Sequence, residues 1–156
     1  MKDFERLLNN INKLDLNDIF LAMWRRNDVQ DYIIELNTEG EDTSQLYELG
    51  IDSKGKSLGA NSPFGGYSPF TKQIKASKGQ RIDHITLKDT GEFYKSFKVT
   101  PNKKGFKITA NPNKEDNNLF DDFGVDIVGL TKENVFKLLD FIEPMFSKEF
   151  ERRLFQ

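Results

Sequence analysis

Gly50-Ile51-Asp52-Ser53-Lys54-Gly55-Lys56-Ser57 places two glycines ahead of a lysine and a serine, the spacing of a phosphate-cradling loop. That chemistry requires a buried strand before the loop and a helix after it, so that the helix N-terminus faces the phosphates. Leu46-Tyr47-Glu48-Leu49 is too short and mixed to be that strand, and the stretch from Leu58 to Gly66 cannot start a helix. No later apolar strand ends in an aspartate suited to magnesium, so nucleotide binding is not expected. His84 is the only histidine, and any triad would have to be built on it. It lies beside Asp83 in a strand-like stretch, where a structural role is expected.

Asp116, Asp121, Asp122 and Asp126 form an acidic group that could attract a hard cation, but their spacing fits no calcium loop. Asp122-Phe123-Gly124 copies a kinase tripeptide in a chain with none of a kinase's other motifs. There is no cysteine, which removes thiolate ligands, a cysteine nucleophile and disulfides. The expectation is a protein that is not an enzyme and has no catalytic residue, cofactor or metal. The enzymatic rival is a metal-dependent hydrolase using His84 and the Asp121–Asp126 group.

The elements that would position these residues follow from periodicity. A chain of 156 residues is expected to form one domain and to bury roughly 68–70% of its unfolded surface without a staple. Residues 3–37 predict helix, with Phe4, Leu7, Leu8, Ile11 and Leu14 on one face. A slip of phase near Asp15–Asp18 suggests a second helix capped by Asn17 or Asp18, carrying Phe20, Met23, Trp24, Val29, Tyr32, Ile33 and Leu36. Residues 38–81 form a glycine- and proline-punctuated loop in which only Gln45–Leu49 and Thr71–Lys78 predict short helices. A loop of this length is expected to be partly mobile in isolation.

Residues 82–128 predict hairpin and turns. Ile82, Ile85 and Leu87 suggest a strand, and Asp89-Thr90-Gly91-Glu92 has the spacing of a capping box with Asp89 at the N-cap. Phe97–Thr100 and Phe106–Ala110 alternate apolar and polar around Pro101–Gly105, a hairpin with one wet, lysine-rich face. Leu119–Gly124 predicts a helical turn stopped by glycine. Residues 129–156 predict a final helix capped by Thr131. Its apolar stripe is Val135, Leu138, Leu139, Ile142, Met145, Phe146, Phe150 and Leu154, with a kink at Pro144. The fold class is α+β: N-terminal helices, a small antiparallel sheet with a central hairpin, and a long C-terminal helix packed on the sheet.

In this order the segments resemble the phage virion-morphogenesis and tail-completion proteins. The motif residues are Leu87, Thr90, Gly91 and Ser96, then Phe120, Phe123 and Gly124, then Gly129 and Leu130 ahead of the closing helix. Ser53–Leu58 and Pro69–Lys75 match the preceding loop, and the resemblance covers about residues 46–153. Phe93 stands where that family usually has leucine, and Pro63-Phe64-Gly65-Gly66-Tyr67-Ser68-Pro69 where it often has tryptophan. The resemblance implies a structural virion protein of the neck or head-proximal tail end. Such a protein assembles as a ring of its own copies, meets other neck and tail proteins, and can contact DNA in the tail lumen.

Charge distribution bears on those partners. Residues 1–50 hold 5 basic and 11 acidic side chains, whereas residues 51–81 hold Lys54, Lys56, Lys72, Lys75, Lys78 and Arg81 against Asp52 alone. Residues 82–120 come to +2 and residues 121–156 to −3. The basic segment is the candidate interface, either for the acidic helices of a neighbouring copy or for nucleic acid gripped by Lys72, Lys75, Lys78 and Arg81 on one helical face. The longest apolar run, Ile19–Trp24, is far shorter than the ~18 residues of a membrane span. The N-terminal residues lack an apolar signal core. A soluble, unsecreted protein of the virion, with no membrane partner, is expected.

Overall fold

Three helices, not two, fill the N-terminal segment of the computed structural model, which describes residues 1–156: α1 (Lys2–Lys13), α2 (Leu16–Trp24) and α3 (Asn27–Asn37). The first break is capped by Asp15, whose carboxylate accepts from the Asn17 amide at 2.8 Å, instead of by Asn17 or Asp18. The second break at Arg25–Arg26 has no glycine or proline to announce it, and Gln30 Nε2 satisfies the freed Trp24 carbonyl at 2.8 Å. The faces match their periodicity. Ile19 and Met23 of α2 and Val29, Ile33 and Leu36 of α3 are buried.

Residues 38–68 contain a single π-helical turn, Gln45–Leu49, closed by Gly50 in the left-handed region (φ 60°). Leu46 and Leu58 anchor this passage in the interior, and Ile51 and Ser57 form an antiparallel bridge between them. Helix α4 (Pro69–Ser77) begins two residues before the predicted start because Ser68 caps it at the Thr71 amide and Pro69 occupies the first turn.

No strand forms at Ile82–Leu87. Side chains supply the hydrogen bonds that a neighbouring strand would have made. The Thr86 amide donates to the Tyr67 hydroxyl at 3.1 Å, the buried Tyr94 hydroxyl donates to the Thr86 carbonyl, and Lys75 Nζ donates to the Lys88 carbonyl at 3.1 Å. Leu87 itself has φ 57°, which breaks any strand and costs a branched residue about 1–2 kcal/mol. Asp89 does not cap the next helix either. Helix α5 (Glu92–Lys95) starts from Gly91, whose φ of 86° only glycine adopts without strain, while Thr90 Oγ1 accepts from the Glu92 amide.

Strands β1 (Lys98–Asn102) and β2 (Gly105–Thr109) pair antiparallel around Lys103–Lys104, with Lys98 opposite Thr109 and Thr100 opposite Lys107. The polar stretch that follows contains a second, minimal hairpin, β3 (Asn113–Lys114) with β4 (Asn117–Asn118). Helix α6 (Leu119–Phe123) ends at Gly124 as predicted, and a short 3-10 turn follows over Val125–Ile127.

Helix α7 (Lys132–Phe155) is capped by Thr131, which accepts from the Asn134 amide, and continues through Pro144. Its buried line is Asn134, Leu138 and Ile142, so Val135 and Leu139, expected inside, stay more than a third exposed. The phase is set by Asn134, a polar residue that an apolar count passes over.

The result is an α+β fold with two apolar clusters. Met23, Trp24, Val29, Ile33, Leu36, Leu138 and Ile142 form one, flanked by Val99 and Phe106 of the hairpin. Leu46, Leu58, Ile85, Tyr94, Phe97, Leu119 and Ile127 form the other, and Ile108 of β2 packs against both. The hairpin lies on α2 and α3, and α7 packs along α1, α2 and α3, so that both contribute side chains to the first cluster.

Candidate interaction surface

Within the 87–130 motif, Leu87, Phe120 and Phe123 pack against the second cluster. Ser96 Oγ donates to the Phe93 carbonyl at 2.6 Å and accepts from the Asn111 amide at 2.9 Å, joining the end of α5 to the exit of the hairpin. Phe120 and Phe123 are half-buried against the cluster, and Gly124 (φ 84°) turns the chain out of α6. Gly129 lies so close to Ser53 that an added Cβ would be 3.2 Å from the Ser53 Cβ. Leu130 packs on the first cluster. These are fold residues.

A buried amide network welds the two halves. Asn37 donates to the Ile127 carbonyl (3.1 Å) and accepts from the Gly129 amide (2.8 Å). Gln45 donates to the Gly129 carbonyl and accepts from the Thr131 amide, both at 2.8 Å. Asn134 Nδ2 faces the carbonyls of Leu36 and Thr43 and Oε1 of Gln45, and Thr43 Oγ1 donates to Asn134 Oδ1 at 2.8 Å. Every buried side-chain nitrogen and oxygen in the chain has a partner.

The candidate cations at 54–81 are largely consumed inside the fold. Lys75 is buried, with its ammonium over the Tyr67 ring and bonded to the Lys88 carbonyl and to Gln80. Lys78 pairs with Asp89, Lys54 with Asp126, and Arg81 with Glu48 and Asp83. Arg81 also lies beyond the end of α4, so Lys72, Lys75, Lys78 and Arg81 do not share a helical face. Only Lys56 and Lys72 remain without an internal partner. Asp89 is the hub of this wiring. Partial burial pushes its carboxyl up, but bonds from Gln80 and the charges of Lys114 and Lys78 outweigh that and hold it below the usual range.

The phosphate-loop lookalike folds around its own anion. Asp52 Oδ1 accepts the amides of Lys54 and Lys56, each at 2.9 Å, so the donors a phosphate would take are already occupied. His84 bridges Asp83 and the Tyr47 carbonyl, tying the 82–88 segment to the π turn. No three carboxylates or histidines converge in a way that could hold a metal ion. A cleft of about 390 Å³ opens beside the loop, lined by Lys56, Asn61, Phe64, Tyr67, Thr71 and Asp122 among others.

No protein-family model, curated protein or solved structure matches this chain. What its surface can bind follows from the chemistry of that surface alone.

Two features stand out. Between Glu92 and Glu115 there are six lysines and no acidic residue. Four of these, Lys98, Lys103, Lys104 and Lys107, are exposed on the β1–β2 hairpin and enter no ion pair, whereas Lys95 pairs with Glu92 and Lys114 with Asp89. Summing charge over residues 82–120 hides this run by adding the acids on either side. The second feature is apolar: α1 has no buried residue, and Phe4, Leu8 and Ile11 are 61%, 45% and 49% exposed. Its inner side rests on α7, where Asn10 donates to the Leu154 carbonyl at 2.9 Å. No helix is long and apolar enough to cross a membrane.

The α7 terminus under α1 is stapled by Glu149, which accepts from Arg152 (2.7 and 2.9 Å) and Arg153 (2.8 Å). Those guanidinium bonds lower its carboxyl from 4.5 to about 2. A carboxylate depressed by folding stabilises fully above its unfolded value and loses that contribution as pH falls through its folded one. Acidification from pH 4.5 towards 2 is expected to loosen the last turns of α7. Glu149→Gln should remove this pH dependence, as followed by amide exchange of residues 149–155; equal protection of the native chain at both ends of the window would refute it.

Proposed function

We propose that this chain is a structural protein of a phage neck or head-proximal tail end, which assembles with copies of itself, as a ring, to complete the tail and allow head–tail joining. The order of the motif residues from Leu87 to Leu130 supports the reading, as does their use in shaping the fold instead of a reaction site. The observation that carries it is α1. An amphipathic helix that leaves Phe4, Leu8 and Ile11 in water is stable when something covers that stripe. A second copy is the occupant, because α7 exposes a separate apolar stripe, Val135, Phe136 and Leu139, and head-to-tail rings join unlike patches.

Light scattering of the purified chain is expected to give a defined closed oligomer, visible as rings by negative-stain microscopy. Phe4→Asp with Leu8→Asp should return it to a folded monomer whose unfolding midpoint is lower and no longer depends on protein concentration, because covering the stripe in the assembly stabilises the folded chain. A wild-type chain that stays monomeric at every concentration, and is absent from purified particles and tail intermediates, would sink the reading.

A further inference from the structure

We propose that the β1–β2 hairpin is a contact site for duplex DNA, its ribbon lying against the major groove with lysines on the phosphates. The proposal is independent of ring assembly. It rests on what the register exposes. Val99, Phe106 and Ile108 turn inward to the apolar clusters, leaving Lys98, Thr100, Asn102 and Lys107 on the outer side and Lys103–Lys104 at the tip. The outer side consists only of phosphate-binding residue types, lysine with short hydroxyl and amide side chains.

The geometry suits a groove. Strands in a pair stand about 4.8 Å apart, so a two-stranded ribbon fits a major groove about 12 Å wide. Lys98 lies opposite Thr109 and Lys107 opposite Thr100, which sets the two lysines diagonally on one face, about 7–8 Å apart at the backbone. From Lys107 to the tip lysines is three or four residues of strand, about 10–13 Å, and from Lys98 five or six, about 17–20 Å. Long ammonium stems can therefore reach phosphates on both sides of the groove.

An acidic face of a second copy is the competing partner, and composition decides against it. Cores of protein–protein interfaces are depleted in lysine and enriched in aromatic residues. On this molecule those aromatic residues are exposed elsewhere, at Phe4, Phe136 and Phe155. The hairpin's exposed side offers none. The cations at 72–81 are the contrasting case, since most already have internal acceptors.

Fluorescence anisotropy of the full chain with a labelled 20-base-pair duplex, titrated in salt, tests the proposal. Four lysines predict a slope of log affinity against log salt of about −3.6, and the double variant Lys98→Gln, Lys107→Gln is expected to reduce its magnitude by about 1.8. Lys72→Gln, an unpaired cation outside the hairpin, should leave the slope unchanged. Duplex RNA of the same sequence should bind more weakly, because its deep, narrow major groove does not admit the ribbon. No DNA binding at low salt would overturn the proposal. So would an unchanged slope in the hairpin variant, equal affinity for duplex RNA, or a hairpin variant that alters oligomer mass but not DNA binding.

Discussion

Replacing Asn134 by leucine is expected to cost this protein about 3–5 kcal/mol, a large share of its total stability for one side chain. Leucine keeps the branching but is bulkier, removes the amide that serves the Leu36 and Thr43 carbonyls and the Gln45 side chain, and leaves the Thr43 hydroxyl without its acceptor. Asn134 is 1% exposed, so water cannot replace those bonds. Each orphaned buried group costs about 1–3 kcal/mol, and a domain of this size has only about 5–15 kcal/mol in hand. The damage would also spread, since the same network fixes the 127–131 connection through Gln45 and Asn37. Urea unfolding should show a lower midpoint with an unchanged slope. Glu143→Ala, on the same helix, exposed and in no ion pair, serves as the near-silent control. A loss under about 1 kcal/mol for Asn134→Leu would mean that the network is not structural.

The second large effect is local. A Cβ on Gly59 would stand 2.2 Å from the Gly65 carbonyl oxygen and 2.7 Å from its carbon. Both atoms are backbone, so no side chain can swing aside and the 59–66 loop must open. That loop is closed by Ser62, whose amide donates to the Gly59 carbonyl and whose hydroxyl donates to the Gly66 carbonyl at 2.6 Å. Gly59→Ala should cost about 2–3 kcal/mol, as overpacked sites do, spent mainly in this loop and not in the two clusters. Chymotrypsin cleavage after Phe64 or Tyr67 is expected to accelerate at least about tenfold, given that 1.4 kcal/mol is a factor of ten in the open population. Gly66→Ala, with open space around its Cβ position, should cleave at the native rate. Equal rates for both variants would show that the close approach is not essential.

The two sites share a lesson about packing. At Asn134 the fold depends on bonds that have no apolar signature, and at Gly59 on the absence of a single carbon. Neither residue belongs to the set singled out for its chemistry. Those residues mostly serve as ties within the chain: His84 to Tyr47, Asp52 to the amides around it, Lys75 to the 86–89 segment.

What the sequence determined by itself was whatever depends on neighbours along the chain. Helical spacing placed the N-terminal helices, though not the break between α2 and α3, and α7; alternation placed the hairpin, and Thr131 and Gly124 marked the ends they were expected to mark, because capping and periodicity act within a few residues. Residues distant in the chain decided the rest. Ile82–Leu87 has strand composition, yet it became an irregular, bent passage held, with Lys88, by Tyr67, Tyr94 and Lys75, contacts that span eight to nineteen positions. The α7 stripe turned to put Asn134 inside because its acceptors lie about ninety residues away. The candidate surface moved for the same reason. Lysines look alike in sequence, and only folding showed that those of 54–78 are mostly paired or buried while those of the hairpin remain free.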